Sequence, residues 1–152
     1  MHYVFEAIFI GIYTWIHYIL LSNILVGISS FEIPFFFILG FLKHFLGGVL
    51  QLHTYYCNYG DACSSSKDIP SVRKYGPIDE LLFVDSLLEG IIFVVIGFFS
   101  YRFLLSSSRN YPLKIHWIWI FMVGFSLHII FEGLGRHHWF CKNRCMQWNG
   151  VK

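Results

Sequence analysis

Residues 81–105 read LLFVDSLLEGIIFVVIGFFSYRFLL. Asp85, Glu89 and Arg102 are the only charged residues in this apolar run. A helix rises about 1.5 Å per residue, so a bilayer core of about 30 Å takes about 20 residues. The stretch is long enough to cross. Asp85 and Glu89 are four positions apart and share one helix face. Ionisable groups in a span are costly and turn toward the bundle interior, so the segment reads as a transmembrane helix with one polar stripe.

Three further runs meet the same criterion: 3–28, 33–52 and 115–134. The expected fold is therefore an all-α, polytopic transmembrane four-helix bundle over residues 1–135, followed by a polar, cysteine-containing tail, 136–152. The tight turn Ser29-Ser30-Phe31-Glu32, with Pro34 in the first turn of the next helix, makes the first two spans an antiparallel hairpin. The longest connection, His53 to Glu80, holds Gly60, Asp61, Pro70 and Pro77 and reads as a loop. Four crossings put both termini, this loop and the tail on one face, side A. Three spans with a re-entrant second run are the competing topology, because that run carries Lys43, His44 and Gln51. No internal repeat is strong enough to use.

Composition agrees. Of 152 residues 56% are hydrophobic and 13% charged, against about 25% charged in soluble domains. A chain so poor in charge has lipid as its bulk solvent, and an integral, multi-pass location is expected. A net charge of +2 gives no footprint for nucleic acid. The expected partners are the lipid bilayer and protein components of a membrane assembly, and no cofactor is indicated. The first run reads as a retained span rather than a cleaved leader. Basic residues favour side A: Lys67, Arg73, Lys74, Arg136, Lys142, Arg144 and Lys152, against Arg102, Arg109 and Lys114. The positive-inside rule then faces side A to the cytoplasm.

All four cysteines, Cys57, Cys63, Cys141 and Cys145, fall on side A just outside the spans. They are disulfide candidates, pairing locally or stapling the loop to the tail; three pairings are open. A zinc site using these thiols with His53, His137 or His138 is the alternative, although only the tail pair has the usual ligand spacing. Disulfides would need an oxidising compartment, against the charge bias.

A buried polar cluster is expected in the side A half of the bundle: Lys43, His44, Asp85, Glu89, His128 and Glu132, with Glu6 near the same end and His17 near the middle. The plain reading is interhelical pairing, Lys43 or His44 with Asp85 or Glu89, and Glu132 with His128 or Arg136. Tyr and Trp near the span ends, Tyr55, Tyr56, Trp119 and Trp139 among them, read as an interface belt.

Two resemblances add to this. Leu42-Lys43-His44-Phe45-Leu46-Gly47-Gly48, continuing through His53-Thr54-Tyr55-Tyr56-Cys57 to Cys63, resembles small uncharacterised membrane proteins of the nucleocytoplasmic large DNA viruses, which implies a virion or virus-factory membrane. His128-Ile129-Ile130-Phe131-Glu132-Gly133 is similar to the His-x3-Glu-Gly helix of the emopamil-binding protein family, which includes sterol isomerases. That resemblance implies catalytic roles for His128 and Glu132 in moving a proton; Glu89 joins them as a candidate acid by its depth alone. In the family the motif lies in an early helix, here in the last. The favoured expectation is a structural or interaction component of a membrane assembly; the alternative is a small sterol-isomerase-type enzyme with a buried His/Glu half-site.

Overall fold

The computed structural model describes residues 2–25, 32–64, 73–75, 80–100 and 114–147. The turn at 29–31 and the connection at 106–113 lie outside these residues. The described chain is helical, apart from one ladder of three residue pairs. Helix α1 is His2–Ile24, α2 Glu32–Val49, α3 Leu52–Tyr59 and α4 Asp61–Ser64. Strand β1 is Arg73–Tyr75. Helix α5, Glu80–Phe93, runs on through a π-helical turn, Val94–Phe98. Then follow α6, Lys114–Gly133, α7, Arg136–Asn143, and β2, Cys145–Gln147, which pairs antiparallel with β1.

Tyr3–Ile24 and Glu80–Phe98 are each long and apolar enough to cross a membrane. Two more segments pass only as bent pairs, Ile33–Val49 with Leu52–Tyr59 and Ile118–Gly133 with Arg136–Asn143, bent by 72° and 75°. The apolar surface is turned outward: Phe5, Phe9, Ile12, Ile16 and Leu20 form an exposed stripe on α1, and Val84, Leu88, Ile91 and Val95 another on α5. Contiguous exposed apolar faces of this kind are rare on water-soluble monomers.

The tight helix pairs are α1 with α6 and α2 with α5. Small residues bring the backbones close. A Cβ on Gly40 would sit 2.7 Å from the Glu89 carbonyl oxygen, and one on Gly124 3.1 Å from that of Ile10. Phe35, Phe36, Leu39, Phe93, Ile120 and Leu127 make the shared core, and Trp119 meets Phe36 edge-on at 5.5 Å. Trp119 is thus also a packing residue.

Several expectations need correction. The long connection is not a plain loop: its first part folds as α3 and α4, because Leu52, Cys57, Ala62 and Cys63 give it an apolar side to bury. The second span ends at Val49 rather than residue 52, since Gln51 takes the left-handed conformation (φ 61°) and turns the chain into α3. The tail likewise begins as a helix, after Gly135 (φ 68°).

The expectation of no internal repeat is also overturned. His44, His53 and Cys57 recur as His128, His137 and Cys141, each 84 positions on (44/128, 53/137, 57/141), and the left-handed residues Gln51 and Gly135 are spaced likewise. Gly40 and Gly124 keep the same offset. Each set reads span, left-handed residue, sharp bend, short helix. The first long helix of each half, α1 or α5, packs on the second long helix of the other, α6 or α2. The halves are therefore interlocked about a pseudo-two-fold axis. Few side chains are identical between them, so the repeat is faint in one dimension.

Candidate functional site

At one end of the bundle α3, α4, α7 and the β1–β2 ladder form a cap. Two disulfides tie it together: Cys57–Cys145 and Cys63–Cys141, with Cα–Cα distances of 5.5 and 5.2 Å. Both join the loop to the tail, and neither local pairing occurs. Each bond links the first cysteine of one half to the second of the other, although of these only Cys57 and Cys141 keep the 84-residue offset. The sulfurs of Cys63, Cys141 and Cys145 lie within 4.8 Å of one another. Bonded in disulfides they have no thiolate, the form that ligates a metal, so the zinc alternative has no cysteine ligands in this state.

Beneath the cap is a cavity of about 710 Å³ lined by all four long helices together with α3 and α7. Its wall is mainly apolar and aromatic. Phe5, Phe9, Tyr55, Tyr59, Leu88, Arg136 and Trp139 line it and are exposed, so its mouth reaches from the cap down the side of the bundle. A cavity of this size suits a small molecule or a single lipid chain.

The charged groups deep in the bundle are paired. Lys43 Nζ donates to Glu89 Oε1 at 2.8 Å, with side-chain exposures of only 9% and 13%, and lies 4.8 Å above the Phe93 ring. Asp85, which shares Glu89's helix face, accepts instead from Arg144 of the tail at 2.8 Å. Glu6 accepts from the Asp61 backbone N–H at 2.7 Å, and its other oxygen faces His128 Nε2 at 3.4 Å. Glu132 is held by His137 Nδ1–H at 2.7 Å, not by His128 or Arg136 as expected. His44 makes no ion pair among the described residues; its ring lies against His53, at 4.4 Å between centroids. His17, in the middle of α1, donates Nδ1–H to the Tyr13 carbonyl at 2.9 Å, and buried Thr14 and Ser86 likewise donate to carbonyls four residues back.

Two imidazole pairs therefore stand at the two bends. His44–His53 is one, and His128–His137, at 4.3 Å, is the other. They are reciprocal across the axis: His137 packs on Tyr56 of α3 at 5.5 Å, and His53 on Phe140 of α7 at 5.9 Å. All four line the cavity. Burial pushes the His53 imidazole well below the usual histidine range, with His44 beside it adding to the effect. Burial, reinforced by His128, also lowers His137. Burial raises the Tyr56 hydroxyl, helped by the nearby carboxylates of Glu6 and Glu132. The His53 and His137 imidazoles and the Tyr56 hydroxyl are thus uncharged near pH 7.

Of the expected cluster, Lys43, His44, Asp85, Glu89 and His128 line the cavity, whereas Glu132 does not. Sequence reasoning passed over Tyr13, Tyr56, His53 and Arg136 as wall residues, and Arg144 as the partner of Asp85. The His-x8-His spacing, present twice, was the available signal for the imidazole pairs.

No family model, no curated protein and no solved structure matches this chain.

Proposed function

We propose that this chain is a four-span integral membrane protein that holds an amphipathic molecule in the cavity beneath its disulfide-bonded cap, as a non-catalytic component of a membrane assembly. The cavity itself carries the reading: an apolar chamber walled by all four long helices, with polar groups gathered near the cap. Helices α2 and α6, of 18 and 20 residues, are about 27 and 30 Å long by helical rise, which supports four crossings with α3 and α7 lying at the membrane surface. The disulfides support a cap facing an oxidising compartment. The basic bias of side A is weaker than its count, because Arg144 is engaged with Asp85. The resemblance of the Leu42–Cys63 stretch to proteins of large DNA viruses supports a virion or virus-factory membrane.

Native mass spectrometry of protein purified in mild detergent tests the reading. Wild type is expected to carry one bound lipid-sized mass. Leu88→Trp, which adds a bulky ring to the wall from a half-exposed site, is expected to lose it. An empty wild-type protein, or equal occupancy in the variant, would refute ligand binding. A single cysteine introduced at position 107 that labels from the same side as the cap would refute four crossings.

A sterol-isomerase-type enzyme is the second reading, favoured by Glu89 and His128 lining one cavity. Against it, Glu132 is off the wall and held by His137. Isomerase activity that survives Glu132→Gln and is abolished by Glu89→Gln would establish it with a different acid from the motif's.

A further inference from the structure

The two halves of the chain share the order long helix, left-handed residue, sharp bend and short helix, and differ sharply at a few positions of the cavity wall. Where one half has Lys43 the other has Leu127, and where one has Arg136 the other has Leu52, each again 84 apart (43/127, 52/136). The repeat therefore carries one cation per half, but at different depths. Lys43 lies on the floor and is neutralised by Glu89. Arg136 lies at the mouth, in the first turn of α7, where the helix N-terminus adds positive potential. Its guanidinium stacks on the Trp139 ring at 4.2 Å and makes no ion pair among the described residues.

The acids of the wall are all engaged: Glu6 by Asp61 N–H and His128, Asp85 by Arg144, Glu89 by Lys43. Burial keeps His53 and His137 neutral near pH 7. Arg136 is thus, among the described residues, the charge on the wall without a counter-charge. A guanidinium braced on an indole face keeps its outer N–H groups for an anion and is the side chain best shaped for a carboxylate or phosphate.

Resting on the ligand-binding reading above, we infer that the cavity selects a single-chain anionic amphipath, with its headgroup on Arg136 at the mouth and its chain running over Tyr56 and Phe9 toward Ile92. The departure from two-fold symmetry fixes the direction: position 52, the equivalent of Arg136, is apolar, so the headgroup has one end to choose.

The test is calorimetric titration of the full chain in mild detergent with three probes: oleate, oleyl alcohol and hexanoate. Wild type is expected to bind oleate about tenfold more tightly than oleyl alcohol, the worth of one charge-assisted hydrogen bond, and hexanoate not at all. Arg136→Gln should lose the oleate preference while still binding oleyl alcohol; Arg136→Lys should keep part of the preference. Leu52→Arg in the Arg136→Gln background should restore it from the symmetry-related position. Equal binding of oleate and oleyl alcohol by wild type would overturn the inference and leave the ligand-binding reading standing. Failure of both long-chain probes to bind would overturn the two together. Hexanoate binding as tight as oleate would reduce the site to a surface anion site. Loss in Arg136→Gln without recovery in the double variant would overturn the two-fold argument.

Discussion

Glu89→Leu is expected to be among the most damaging single substitutions in the bundle. The carboxylate sits 2.8 Å from Lys43 Nζ, with both side chains almost wholly out of solvent. Removing it strands an ammonium group in the interior. Breaking a buried pair on one side costs about 3–5 kcal/mol. The Phe93 face 4.8 Å from the ammonium is there with or without the carboxylate and so does not offset this loss. For a chain of this size about 1 kcal/mol shifts the melting temperature by roughly 2–4 °C, so the loss should be on the order of 10 °C. Glu89→Gln should fall between, because the amide oxygen still accepts from Lys43 while the charge stays uncompensated. The decisive variant is Lys43→Met with Glu89→Leu, which removes both charges at similar volume and should return within about 1 kcal/mol of wild type. Thermal unfolding of wild type, Glu89→Leu, Lys43→Met and the double variant in one detergent, read as a double-mutant cycle, measures this. Wild-type stability of Glu89→Leu alone, or a double variant no better than the single, would refute the account of a desolvated pair.

Non-reducing peptide mapping should recover Cys57 with Cys145 and Cys63 with Cys141, and a Cys57–Cys63 or Cys141–Cys145 peptide would contradict the cap. Cys57→Ser with Cys145→Ser leaves Cys63–Cys141 closed, so it opens only the short ring between the two bonds, worth about 3 kcal/mol in the chain-entropy account, and should leave the cap proteolytically sensitive at temperatures where wild type resists. Gly40→Leu should cost about 3 kcal/mol or prevent folding, since its Cβ would meet the Glu89 carbonyl oxygen at 2.7 Å and backbone cannot step aside as a side chain can; a wild-type melting temperature would show that α2 and α5 are not in close contact. His53 and His137 titrate below their unfolded value, so the unfolded chain takes up protons first. Their contribution is complete above about pH 6.5 and is lost as pH falls toward their folded values. Stability should therefore drop between pH 7 and pH 5, by up to about 1.4 kcal/mol per pH unit for each, and His53→Gln should flatten the profile; stability rising with acid over that window would be the contrary result.

Periodicity and composition determined the class of fold. Apolar runs such as 81–105 can satisfy their backbone in lipid only as helices, and that constraint is local, so one segment at a time is enough to read it. Paired acids at 85 and 89 could be placed on one inward face by helical spacing alone. What the linear pattern could not supply was which partner each group takes. Asp85 and Glu89 are one turn apart, yet they go to Arg144 and Lys43, because α7 folds back over the end of the bundle while Lys43 belongs to the neighbouring helix. The choice among three cysteine pairings, the left-handed turns at Gln51 and Gly135, and the cavity between the helix pairs are all consequences of how the two halves interlock. Interlocking is a tertiary property: it needs only small residues at the crossings and a matched set of bends, and these leave little trace in a sequence where most other positions are free to vary among apolar residues.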